Sequence, residues 1–389
     1  GQIHNYYLKK FNSDSNFDVR LITYAEENEL PKIDLKEYKV KHDLIIKSNK
    51  LLDRLMRLPD RIKRTVNIKN QYGGIISSFF NRNMIATLKQ LSKGEYQPDI
   101  VILVWTPTVL LFKDVKFIYP NAKYVAFEHD VYFQNLKRQL KTENNYLRKI
   151  SKRGRFTSEY HSEINALKNA DLVITLNYKD KDLLINNGIT DQSIEIVSPY
   201  FHFMGDNNTH KKSDENTIIF YGAMSRPENY ECCIWFIENV LNSLFEIDAS
   251  LHFVIVGAHP NENLKRYQSE RVTITGFVDY PEEYLNNSLC MVAPLLVGAG
   301  IKIKILEAMS AGTVVLTNKI GIEGIPATDK VHYLHCESSE EYIRSIVELK
   351  DKKLNGQQIG ENAKKLITEK FNLANSYYNY SELIKKIKR

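Results

Sequence analysis

Short runs of β-branched and aromatic residues alternate with amphipathic stretches along almost the whole chain, and they do so in two separate series. In the first series, Phe17 to Thr23, Ile100 to Trp105, Tyr124 to Phe127, Leu172 to Leu176 and Ile194 to Val197 read as strands. Between them, 47–58, 78–92 and 158–169 carry apolar residues at helical spacing. The pattern lapses after Ser198-Pro199, where residues 205–216 are polar and aperiodic and read as a linker. A second series follows, with strands at 217–221, 251–256, 272–276, 289–293 and 314–317 and helices at 231–244, 301–311, 338–349 and 357–371. A last basic helix runs from about Ala374 to Lys388. Strands that alternate with helices argue for a parallel sheet wrapped by helices, so each series predicts one doubly wound α/β domain. Two such domains imply a cleft, and ligands of open α/β sheets bind beyond the carboxyl ends of the strands.

Composition narrows the class. With 389 residues, 43% of them hydrophobic and 26% charged, the chain can bury a core without disulfides or metals. Its longest apolar stretch, Ile100 to Phe112, is interrupted by Thr106-Pro107-Thr108 and is shorter than the roughly 20 residues a membrane span needs. Cys232, Cys233, Cys290 and Cys336 lack metal-ligand spacing, so buried reduced thiols and a cytoplasmic setting are expected. No signal peptide is visible, and the chain begins at Gly1 rather than Met.

Charge is unevenly placed. The net charge is +6, yet residues 1–200 carry an excess of +9, which leaves −3 for the remainder. The surplus gathers in Lys47–Lys69, opposed only by Asp53 and Asp60, and in Lys137–Arg155, opposed only by Glu143. A solvated helix face is the plain explanation. Interleaved Leu51, Leu52, Leu55, Met56 and Leu58, and Leu140, Tyr146, Leu147 and Ile150, suit an anionic membrane surface or a polyanionic ligand as well. Nucleic acid is not an expected partner, because no aromatic RNA-binding signature or helix-turn-helix pattern accompanies the charge.

The segment from Pro294 to Gly312 is the most informative for chemistry. It begins where a strand ends and continues into a helix. Gly298 and Gly300 flank Ala299, so backbone N–H groups can approach a ligand without Cβ obstruction. Together with the helix N-terminus they form an anion site able to hold a diphosphate. Lys302 and Lys304 oppose the helix dipole at its start, a placement that an external anion would explain. Glu307 follows one turn after Lys304, where a carboxylate can accept both hydroxyls of a ribose. The competing reading is an ordinary amphipathic helix with Ile301, Ile305, Leu306 and Met309 inward and the charges outward.

This segment resembles the donor-binding signature of the retaining, group-1 (family 4) glycosyltransferases of the two-domain GT-B fold. The carrying residues are Gly300-Ile301-Lys302-Ile303-Lys304-Ile305-Leu306-Glu307-Ala308-Met309-Ser310-Ala311-Gly312, followed by Val314-Val315 and the loop Asn318 to Ile325. Ile218 to Asn229, with Gly222 and Arg226, is similar to the family's Gly-containing turn before its first helix. Gly276-Phe277-Val278-Asp279, then Tyr284, resembles the loop that receives the nucleobase. One departure stands out: Ala299 occupies the position of the first Glu in the family's Glu-x7-Glu pair. The diphosphate-gripping Arg/Lys pair is also not cleanly matched, which leaves Arg226, Lys302 and Lys304 to share that role.

In the front half, Phe127-Glu128-His129-Asp130 follows a strand, as does the family's active-site His loop, and the resemblance gives His129 a sugar-contacting role. Gly1-Gln2-Ile3-His4-Asn5 resembles the family's N-terminal Gly-rich loop, which implies acceptor binding by Gly1, Gln2 and His4. The implied domains are 1–204 for the acceptor, a linker at 205–216, 217–372 for the nucleotide sugar, and a helix at 373–389 packing back on the first domain. The implied reaction transfers a hexose-type sugar from a nucleoside diphosphate sugar to a saccharide or lipid-linked acceptor, with retention, in surface polysaccharide or glycoconjugate assembly. No cofactor or metal is expected, since fixed charges and N–H dipoles can stabilise the leaving diphosphate. Asp180-Lys181-Asp182 reads as a solvated helix start rather than a metal motif. A non-catalytic sugar-nucleotide-binding subunit and a GT-B sugar-nucleotide epimerase remain open beside the transferase. The expected location is cytoplasmic, with peripheral attachment at the inner membrane face.

Overall fold

A computed structural model describes residues 2–27, 40–47, 55–56, 58–60, 76–199, 201, 204 and 215–388. The chain divides into two compact units, one formed by Gly1–Tyr200 with Leu373–Arg389 and the other by Phe201–Asn372. Most of the segment read as a linker, and most of the basic run Lys47–Lys69, lie outside the described residues.

The first unit holds a four-stranded parallel sheet of β3 (Ile100–Val104), β4 (Lys123–Phe127), β5 (Leu172–Thr175) and β6 (Ile194–Ile196), ordered β3-β4-β5-β6. β1 (Arg20–Glu26) and β2 (Lys41–Lys47) form a separate parallel pair. β1 starts three residues later than its apolar run suggests, and β2 has no counterpart in the sequence reading. Lys41, His42, Asp43 and Lys47 give β2 a polar outline that hides its Leu44-Ile45-Ile46 centre. The helix Tyr146–Lys168 is longer than the periodic stretch 158–169. Its start is set by Asn145, whose side chain accepts the Arg148 N–H at 3.1 Å, a cap that apolar spacing does not register.

The helix Leu373–Lys388 belongs to this unit although it ends the chain. Tyr380, 2% exposed, stands edge-on to Tyr7 and Phe11 at centroid distances of 5.2 and 4.9 Å. The Tyr7 and Ser376 hydroxyls both donate to the Ser198 carbonyl, at 2.7 and 2.5 Å. Each edge-to-face ring pair adds about 1 kcal/mol beyond the area it buries, so the terminal helix is an integral part of the core.

The second unit is built on six parallel strands: β7 (Thr217–Tyr221), β8 (His252–Val256), β9 (Val272–Gly276), β10 (Cys290–Ala293), β11 (Val315–Thr317) and β12 (Leu334–His335). Their spatial order is β12-β11-β10-β7-β8-β9. Counted within the unit, that is 3-2-1-4-5-6, the doubly wound order of dinucleotide-binding folds. β12 has only two residues and gives no readable run. Phe220, Phe236, Phe253 and the four cysteines are fully buried against the sheet. Burial pushes the Cys232 thiol up to about 11, so it stays protonated and unreactive.

Candidate functional site

In a 3-2-1-4-5-6 sheet the crossovers after the first and fourth strands leave in opposite directions, opening a crevice at their carboxyl ends. Here those strands are β7 and β10, hydrogen-bonded neighbours through Cys290–Ile218 and Met291–Ile219. The crevice is therefore bordered by the turn after Tyr221 and by the loop after Ala293.

Both borders bring backbone close. A Cβ on Gly257 would lie 1.7 Å from the Gly222 carbonyl oxygen, so the turns after β7 and β8 pack backbone on backbone. In the second border, Gly298 (φ 142°) and Gly300 (φ 66°) take conformations disfavoured for side-chain-bearing residues and reverse the chain into the helix Ile303–Ala311. The helices Pro227–Phe236 and Ile303–Ala311 thus both begin beside the crevice. The Asn229 and Tyr230 N–H groups donate to the Arg226 carbonyl and those of Ile305 and Leu306 to the Lys302 carbonyl, which leaves the N–H groups of Glu228, Ile303 and Lys304 and the helix dipoles at that edge.

The two lysines, equivalent on paper, are not equivalent in space. Lys302 caps the helix and turns back: its ammonium donates to the Gly300 carbonyl and lies 3.5 Å from the fully buried carboxylate of Glu323. Lys304 reaches across to the other helix, donating to Asn229 Oδ1 with its ammonium 4.7 Å from the Phe220 ring centre. Asn229, 5% exposed, also donates to the Ala223 carbonyl at 2.9 Å, which fixes the acceptor oxygen toward Lys304. Burial pushes the Lys304 ammonium down to about 8, because removal from water disfavours its charged form. An arriving anion reverses that balance.

Glu307 is only 4% exposed, so this helix does not turn its charges outward as the amphipathic reading supposed. Tyr221, at the end of β7, hydrogen-bonds to it; burial first, then the nearby carboxylate, keeps the phenol protonated. Ile305, Leu306, Ala308 and Met309 are fully buried beside it. Ala299 lies partly exposed in the turn and Ile301 partly buried after it. Arg226 is exposed and donates to Glu228 at 2.7 Å, at the start of the Pro227 helix. Phe277, 73% exposed, follows β9 with Val278 half-buried beside it. Asn229, Tyr221 and Glu323 escaped the sequence reading, because nothing in their local spacing marks a partner 75, 86 or 21 residues away.

At the carboxyl ends of the first unit's strands the chemistry differs. Glu128, 1% exposed, follows β4 and accepts the Thr106 hydroxyl at 2.9 Å on one oxygen, while Oε1 has no hydrogen-bond partner among the described residues. Fully buried Glu163 accepts the Tyr132 and Phe133 N–H groups at 2.9 and 3.0 Å. Burial pushes the Glu163 carboxyl up to about 8, and burial plus the charge of Glu163 raises Glu128 as well. Asp180 is 2% exposed and bonded to Asn177, so it is not the solvated helix start expected of it. His129 stands edge-on to Phe127 at 5.8 Å, and burial pushes its imidazole down to about 4, leaving it neutral at pH 7. Gly1 and the side chains of Gln2 and His4 lie outside the described residues; Gln2 opens the helix Gln2–Ser13.

Trp105 sits after β3 with φ 69° and ψ 146°, a region non-glycine residues rarely enter, at a cost of about 1–3 kcal/mol. Its N–H donates to the Phe127 carbonyl at 2.8 Å and its carbonyl accepts the Thr108 N–H at 3.0 Å, which pins the backbone there.

Comparison with known proteins bears on the fold. Residues 215–352, most of the second unit, match the family model described as glycosyl transferases group 1. An uncharacterized glycosyltransferase of Methanocaldococcus jannaschii is 22% identical over 410 residues, covering 98% of this chain and 93% of that protein. HepE of Anabaena, crystallised with UDP, is similar with a TM-score of 0.64 at 12% identity, over 95% of this chain and 100% of that one. TarM is similar with a TM-score of 0.59 at 16% identity, over 77% of this chain and 58% of its own, so this chain spans little more than half of that protein. The fold is GT-B.

Proposed function

We propose that the chain is a retaining, family 4 glycosyltransferase that moves a hexose-type sugar from a nucleoside diphosphate to a saccharide or lipid-linked acceptor. The observation that carries the reading is the switch-point crevice of the second unit, where two helix N-termini, a glycine turn and the desolvated Lys304 converge. Such an edge suits a diphosphate: the amides supply hydrogen bonds, and the ammonium is fully charged once the anion arrives. Glu307, held by Tyr221, receives the ribose hydroxyls, and exposed Phe277 stacks on the base with Val278 beneath it. The Gly298–Ile301 turn, with Ala299 offering backbone rather than a carboxylate, faces the sugar phosphate, and Arg226 is a reserve charge at the rim.

As the glycosidic bond to the diphosphate breaks, negative charge grows on its bridging oxygen, where fixed N–H dipoles and Lys304 stabilise it without a metal or cofactor. The acceptor hydroxyl attacks from the same face and its proton passes to the departing phosphate oxygen. Neutral His129 serves as a hydrogen-bonding contact for sugar and acceptor rather than as a charge. HepE and TarM relatives crystallised with UDP make UDP-sugars the first donors to try. A thermal-shift screen of UDP, GDP, ADP and dTDP sugars tests the reading. Stabilisation by none of them would remove it, and turnover of a donor without any acceptor would point to the epimerase.

The same proposal places the enzyme at an anionic membrane surface, inside the cell, in polysaccharide or glycoconjugate assembly. Among Lys137–Arg155, Lys137, Lys141, Arg148, Lys149 and Arg153 are exposed, interleaved with Tyr146 at 75% and Ile150 at 54% exposure. That is the pattern of an interfacial helix. Sedimentation with anionic against neutral liposomes checks it, and equal recovery with both counts against it.

A further inference from the structure

We infer that Trp105 is the stacking platform for a pyranose ring of the acceptor, an assignment that rests on the transferase reading above. The position is an unusual one for tryptophan. It follows β3 directly, at the edge where an open α/β sheet binds ligands, and its backbone is held in a nearly glycine-only conformation. A stable fold alone would favour glycine there. Tryptophan adds an indole that is 43% exposed.

The ring is also oriented. Its Nε1–H donates to Asp130 Oδ1 at 3.3 Å, and Asp130 follows His129 after the neighbouring strand β4. An aromatic face beside a carboxylate provides the two things a pyranose requires. The face, negative in its quadrupole, attracts the polarised axial C–H groups of the sugar, and the carboxylate end of the site suits its hydroxyls. A second exposed aromatic, Tyr178 at 76%, opens the helix after β5. Parallel strands lie about 4.8 Å apart, so β3 and β5, which lead to Trp105 and Tyr178, are two strand spacings apart, or about 10 Å, with β4 and the His129 loop between them. That span fits two linked sugar units. Phosphate or nucleotide recognition suits this edge less than the second unit's, since its buried groups include the carboxyls of Glu128, Glu163 and Asp180.

The chain has two tryptophans, and the other, Trp235, packs against the core of the second unit. In Trp235→Phe, emission therefore reports Trp105 alone. Titration with methyl glycosides and disaccharides of common hexoses and N-acetylhexosamines should give a saturable change with those that serve as acceptors. Should that variant not fold, the emission difference between the wild type and Trp105→Phe reads the same signal. In steady-state assays Trp105→Ala should raise acceptor KM roughly tenfold, Trp105→Phe less, with donor KM and donor hydrolysis within about twofold of wild type. Unchanged emission with a saccharide that is glycosylated, or an unchanged acceptor KM in Trp105→Ala, overturns the assignment. So does silence toward every saccharide, or a response only to alkyl chains lacking a sugar. A saccharide-dependent signal in a protein that transfers nothing would keep the platform and remove the transferase reading, so the two fail separately.

Discussion

The carboxyl edges of the two sheets are built from the same architecture and opposite chemistry. In the second unit, β7 and β10 end in glycine turns, helix N-termini and lysines, with one ammonium partly desolvated. In the first, β3, β4 and β5 end in Trp105, in His129 between two carboxyl groups, and in buried Asp180. Parallel strands and crossovers dictate where a ligand goes; they leave its charge open. One edge gathers the groups of the proposed anion site; in the other, burial raises the Glu128 and Glu163 carboxyls and the Trp105 indole stands half-exposed. The difference teaches that a doubly wound sheet fixes the place of a site and the loops fix its chemistry.

The contrast breaks most readily at Lys304. Lys304→Met should lower turnover by about 10²–10³-fold, the usual loss for a removed electrostatic stabiliser, while the protein stays folded; turnover near wild type would end the diphosphate assignment. Lys302→Met should act differently. It removes the ammonium 3.5 Å from the buried Glu323 carboxylate and should cost on the order of 3 kcal/mol of stability by denaturant titration, and Lys302→Met/Glu323→Gln should restore much of it. If Lys302→Met lost only activity, the two lysines would be equivalent after all.

The next contrast is in Glu307→Gln, which should weaken UDP binding by about tenfold in calorimetry and leave acceptor KM alone, since hydrogen bonds to a charged acceptor are worth about 1.5–3 kcal/mol. A pH titration sharpens the anion reading further. Free Lys304 loses its proton near 8, and a bound diphosphate holds that proton on. UDP affinity should therefore fall as pH rises above 8, by at most about tenfold per unit, and the dependence should vanish in Lys304→Met.

The smallest effect belongs to the first unit and has the reverse sense. Glu128 and Glu163 titrate above the ordinary carboxylate range when folded, so the unfolded chain binds fewer protons there. Stability falls as pH rises from that range through about 8. Glu128→Gln should consequently gain in Tm relative to wild type at pH 8, by roughly 2–4 °C for each kcal/mol relieved, and lose that advantage near pH 4. A variant less stable than wild type at pH 8 would show that Glu128 is ionised and held by a partner.

Much of this was legible in the chain itself. Periodicity alone located ten of the twelve strands among the described residues, because buried β-branched runs between amphipathic helices are a local property of the sequence. It missed β2, with its polar ends, and β12, too short for any period. The glycine turn and helix start of 298–307, on which the proposed anion site rests, were legible for the same reason: they are made by neighbours in sequence. Tertiary structure alone decided the strand order that turns this segment into a border of a crevice. It also sent Lys302 to Glu323 and Lys304 to Asn229, buried the carboxyl groups of Glu128, Glu163 and Asp180 in the first unit, and pinned Trp105 in a strained conformation. Those outcomes depend on partners many residues away and on how much water each group keeps. Neither is written in local spacing.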